Sequence, residues 1–95
     1  MVAADVLNRV NRSIGDASCN AYGWNFRQFL LEPPELREYR DDRGQPWTLW
    51  TVLLERNRES GYHVVYDPDD DEFGLASGGV VVGFYGDFMD AINGM

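Results

Sequence analysis

Residues 46–55 read PWTLWTVLLE, and the reading of this stretch decides the fold. β-Branched and aromatic residues dominate it, and its only charge is the closing Glu55. Pro46 is compatible with a strand because it stands at the start, where its missing N–H costs no ladder bond. Side chains alternate faces along a strand. Trp47, Leu49 and Leu53 are therefore expected on one face, and Trp50, Val52 and Leu54 on the other. A strand with one wet face alternates apolar and polar residues. Here both faces need cover. Helices can supply it on one side; sheet curvature, the N-terminal loop, a ligand or a partner must supply it on the other. Leu49, Trp50, Val52 and Leu53 are expected among the most buried side chains.

Working outward, further strand signals flank this one. LREYR (36–40), YHVVY (62–66), FGLA (73–76) and VVVGFY (80–85) are separated by the polar turns DDRGQP, RNRESG, DPDDDE and SGG. Short turns of this kind favour antiparallel hairpins, giving about five strands in one sheet over residues ~36–85. The period changes at both ends. Val6, Leu7, Val10 and Ile14 share a helical face over 3–14, which Gly15 ends. Phe26, Phe29 and Leu30 suggest a second helix over 24–32, stopped by Pro33 and Pro34. In GDFMDAINGM (86–95), Asp87 is placed to cap a short helix, with Asp90 three residues on and Asn93-Gly94 as its stop. The expectation is a single α+β domain over 1–95: a five-stranded antiparallel sheet, two N-terminal helices and one short C-terminal helix.

The strand 80–85 carries no charge. At the end of a simple meander it is an open, apolar edge, which is a pairing hazard. Three resolutions present themselves: a different strand order, cover from the C-terminal helix, or a homodimer formed through strand 80–85.

The chain has 95 residues, 44% hydrophobic and 14% aromatic, enough for one modest core. Its net charge is −8, unevenly placed. Residues 1–66 hold nine acids against eight arginines, whereas residues 67–95 hold seven acids and neither lysine nor arginine. That distribution disfavours nucleic acid and anionic membranes as partners. No apolar run is long enough to span a bilayer, and MVAADVLNRVNRSIG lacks the apolar core of a signal peptide. The single cysteine, Cys19, has no partner for an internal disulfide, which points to a reducing, cytoplasmic setting.

The stretch YDPDDDEFGLA (66–76) is the densest chemistry on the chain. Carboxylates suit calcium, but the spacing of a calcium-binding loop is missing. Counted from Asp67, Glu72 stands where glycine is required and Gly78 where the bidentate glutamate is required. Counted from Asp69, Gly74 is well placed but Val80 takes the glutamate position. Transition metals want histidine and cysteine, and His63 and Cys19 are one of each, far apart in the sequence. No phosphate loop or dinucleotide fingerprint occurs. No metal, no cofactor and no catalysis are expected.

The leading expectation is a small acidic non-enzymatic domain, an inhibitor or adaptor, that binds a basic protein. Its candidate contact residues are Asp67, Asp69, Asp70, Asp71, Glu72, Asp87 and Asp90. In size, charge and α+β layout the chain is similar to small acidic bacterial immunity proteins that neutralise toxins, although no motif carries the likeness. The alternative is a small-molecule binding module, with Trp24, Trp47 and Tyr62 lining an aromatic pocket on the sheet.

Overall fold

The computed structural model describes residues 1–55 and 61–95. The expected turn RNRESG falls, for residues 56–60, outside the described residues. Helix α1 spans Ala3–Ile14 and buries Val6, Val10 and Ile14 at helical spacing. Val2 has no side-chain acceptor for the helix start. Instead the Asp5 carboxylate accepts the Val2 N–H at 3.1 Å, placing a negative charge in the first turn, where the helix dipole favours it.

The second N-terminal helix is not formed. Residues 27–29 make one 3-10 turn, and strand β1 already runs from Leu30 to Arg40. Phe26 and Phe29 lie three apart, so a single turn is enough to bring them to one side. Leu30 pairs across to Leu53 in the next strand. Pro33 pushes the residue before it out of the α region, and that preference extends the chain backward from the proline pair. Strand β1 thus begins six residues earlier than the expected 36. Its register breaks between Leu30 and Glu35, where the two prolines offer no N–H to the ladder.

Strands β2 (Pro46–Leu54), β3 (Tyr62–Asp67), β4 (Glu72–Ser77) and β5 (Val80–Gly86) follow, and α2 (Phe88–Asn93) ends the described elements. Neighbours in sequence are neighbours in space, in the order β1-β2-β3-β4-β5, each pair antiparallel. The sheet curls until its ends meet. An up-and-down sheet with an odd number of strands has its first and last strands running the same way, so closure is parallel. It occurs where Arg40 faces Val80, with the Arg40 N–H donating to the Gly79 carbonyl at 2.9 Å. β5 thus keeps its terminal place in the order and meets β1 only at this seam.

Both faces of β2 are covered, by different means. Tyr39, Leu49, Val65 and Ala76 form one cluster with Trp47, Val81 and Phe84, so every strand contributes. The Trp47 and Phe84 rings lie 5.7 Å apart, and those of Tyr39 and His63 5.8 Å apart, although neither pair sits on adjacent strands. Only a sheet curled around this face brings them together; it is the barrel interior. The outer face presents Trp50, Val52, Leu53, Val64, Tyr66, Phe73 and Leu75 to α1, α2 and Phe26. Phe88 of α2 meets Phe26 and Phe73 edge-on at 5.7 and 5.8 Å.

The strict alternation expected of β2 fails at one residue. Thr51 pairs with Val65 and Leu53 with Val64, leaving Val52 as an extra residue. This bulge turns Leu53 to the Trp50 face, and Leu54 pairs opposite His63 instead. Leu49, Trp50, Val52 and Leu53 are all buried as expected.

Candidate functional site

The acidic run forms the turn between β3 and β4, closed by the facing pair Asp67 and Glu72. Its carboxylates are not equivalent. Asp67 is only 5% exposed, and its Oδ1 accepts the Asp69 N–H at 3.0 Å, a turn in which the side chain mimics backbone. Asp71 has a left-handed φ of 53°, which aspartate tolerates better than most residues. Its Oδ1 accepts the Tyr66 O–H at 2.6 Å and pairs with Arg9 Nε at 3.3 Å. The Arg9 guanidinium also lies 5.9 Å from the centre of the Tyr66 ring. Asp69 and Asp70 are exposed, and Glu72 is half-buried.

These contacts leave an electrostatic signature. The hydrogen bond from Tyr66 holds the Asp71 carboxyl below its usual range, with Arg9 assisting. Burial pushes the Tyr66 phenol up to about 12, and the Asp71 carboxylate adds to the shift.

The second acidic segment opens α2. Asp87 Oδ1 accepts the Asp90 N–H at 2.9 Å and Asp90 Oδ2 accepts the Asp87 N–H at 3.2 Å, a reciprocal capping box. Phe73 pairs with Gly86, so the end of the acidic turn and the start of α2 lie side by side. Asp71 and Asp87 line one cleft of about 290 Å³, floored by Phe73. Arg9, Arg12 and Ser13 of α1 line the same cleft. Sequence reasoning missed these arginines. Their three-residue spacing marks one side of a helix, but nothing local says which turn that side meets.

The three aromatic candidates are not brought together. Trp24 stacks on Phe29 at 5.2 Å and, like Tyr62, borders the outer cluster, whereas Trp47 lies on the interior face against Phe84. Cys19 is exposed in the N-terminal loop. His63 is buried, its Nδ1 2.9 Å from the Tyr39 hydroxyl, which in turn lies 2.6 Å from Thr51 Oγ1. This buried polar trio ties β1, β2 and β3 together inside the barrel. Among the described residues, no three histidine, cysteine or acidic side chains gather as metal ligands, and no helix is long and apolar enough to cross a membrane. No protein-family model, curated protein or solved structure matches the chain.

Proposed function

We propose that this chain is a non-enzymatic binding domain, an inhibitor or adaptor, that engages a basic protein through the end where the 67–72 turn meets α2. One observation carries the reading: Asp69, Asp70, Asp87 and Asp90 are all exposed at that end, in the third of the chain that contains no lysine or arginine. Asp67 and Asp71 serve the site indirectly, since they shape the turn that presents the other two. Arg9 pairs with Asp71, itself exposed, and leaves Asp69 and Asp70 outside that ion pair, while Arg12 lines the same cleft as Asp87. Such a face speeds association with a positively charged partner more than it strengthens the final complex. A reducing cytoplasm suits the exposed lone thiol of Cys19.

The test is association kinetics with a partner purified from the native host. The partner is expected to be basic at its contact surface. Asp69→Asn with Asp70→Asn should slow association and flatten its salt dependence, with little change in dissociation. A partner with an acidic contact surface, or rates indifferent to both salt and these substitutions, would overturn the proposal.

A further inference from the structure

β5 departs from regular pairing twice in seven residues. Ala76 faces Val81 and Leu75 faces Gly83, so Val82 is extra. Gly74 faces Phe84 and Phe73 faces Gly86, so Tyr85 is extra. A bulge adds a residue to one strand and re-aims its side chain. Here the two extra residues are both large, apolar and exposed: Val82 is 55% and Tyr85 39% accessible, and Val80 beside them 41%. Val81 and Phe84, by contrast, pack with the interior cluster. The strand therefore sends one set of apolar side chains into the barrel and holds a second set out to solvent.

Within the outward set, Tyr85 is held against neighbouring backbone and flanked by charge. A β-carbon built on Gly83 would lie 3.6 Å from the Tyr85 hydroxyl, and one on Gly94 would lie 3.3 Å from the Tyr85 ring. The ring thus rests between the strand and the end of α2. A β-carbon on Gly86 would approach the Asp90 carboxylate to 2.8 Å, so that carboxylate adjoins the same patch. Asp87 follows Gly86 directly.

We infer that the outer face of β5 is the anchor point of the proposed interface: Val82 and Tyr85 receive an aliphatic or aromatic side chain of a basic partner, while Asp87 and Asp90 meet lysine or arginine beside it. The inference rests on the reading of this domain as a binder of basic proteins and names the surface that holds the partner once charge has steered it in. Buried aromatic contacts ringed by polar groups supply most of the energy of such interfaces. The contact is side chain to side chain. Strand addition to β5 is disfavoured because paired bulges break the even edge that another strand needs. Charge selects the occupant: a second copy brings another net −8, whereas a basic surface brings attraction.

The experiment selects peptides from a displayed random 12-residue library on the immobilised protein and measures their binding to three proteins. These are the unaltered chain, Val82→Ser/Tyr85→Ala, and Asp87→Asn/Asp90→Asn, which keeps acceptors at the capping positions. Circular dichroism confirms that each variant folds. The expected peptides pair lysine or arginine with a leucine, phenylalanine or tryptophan. Their affinity should fall about tenfold or more in the β5 variant. It should lose much of its salt dependence in the α2 variant. Basic peptides indifferent to the β5 variant overturn this inference and leave the acidic docking face standing. Selected peptides without basic residues overturn both. Binding abolished by methylating alternate peptide N–H groups would assign the edge to strand addition, against the inference. A dimer of the unaltered chain in sedimentation, lost in the β5 variant, would give the face to a second copy and overturn it as well.

Discussion

Asp71 and Asp70 are adjacent carboxylates with opposite fates. Both are exposed, but Asp71 accepts from Tyr66 and pairs with Arg9, whereas Asp70 makes no bond of that kind among the described residues. Because the Asp71 pKa is lowered on folding, its contribution is present above the unfolded value of 3.8 and is lost as pH falls through the folded one. Asp71→Asn should therefore lessen the acid sensitivity of the fold, measured by urea unfolding between pH 2 and 5. Tyr66 has the converse sign at the alkaline end. Its raised pKa keeps the folded form intact below pH 10, and stability is lost between pH 10 and about 12. An ultraviolet titration should show the Tyr66 phenol ionising late, near pH 12, as a phase that Tyr66→Phe removes. Asp71→Asn should bring it down only in part, since burial is the first cause. In the core, Leu53 is wholly buried on the helix-covered face. Leu53→Ala should cost about 2–5 kcal/mol in urea unfolding. A loss below about 0.5 kcal/mol, typical of the surface, would contradict its place there.

At the scale of elements, β4 and β5 show how small residues make irregular pairing fit. A β-carbon on Gly74 would collide with the Gly83 carbonyl oxygen and sit 2.7 Å from Phe84 Cδ1. Backbone cannot swing aside as a side chain can. Gly74→Ala should therefore destabilise by about 1–3 kcal/mol, the usual cost of overpacking. Gly83→Ala meets only ordinary contacts, at 3.6 Å and beyond, and should cost clearly less in the same denaturation experiment. This pair of strands also marks the boundary of what periodicity can reveal. α1, the run of hairpins and the capping box of α2 were legible because each is written in residues within a turn or two of one another. The bulges at Val52, Val82 and Tyr85 were not, because they depend on the facing strand. Strict alternation therefore misassigned Leu53. The apolar spacing of Phe26, Phe29 and Leu30 fits a helix, yet pairing with β2 claims Leu30 for the sheet. At the site, the two acidic segments were visible as composition. The Arg9–Asp71 contact spans 62 positions and has no local mark.

At the scale of the whole molecule, the barrel is unequally closed. β1 and β2 share a long ladder from Tyr39–Trp47 to Glu35–Thr51, and β3 lies paired on both sides. Among the described residues, the seam between β1 and β5 shows the facing pair Arg40 and Val80, with the Arg40 N–H bonded to the Gly79 carbonyl. Arg40 and Val80 are both exposed, whereas Val64 and Val65 of β3 are fully buried. Fraying the seam at Arg40 and Val80 breaks few backbone bonds and can leave the interior Trp47–Phe84 contact in place, so it should require much less free energy than global unfolding. Parting β3 from its neighbours disrupts both clusters and the Tyr39–Thr51–His63 trio at once. Native-state hydrogen exchange separates the two. The Arg40 amide is expected to exchange by local opening, at a rate insensitive to low denaturant. The amides of Val64 and Val65 are expected to exchange only with global unfolding. Equal protection at Arg40 and Val65 would mean that the seam is a full member of the barrel, and that curvature is locked by more than the side chains packed inside it.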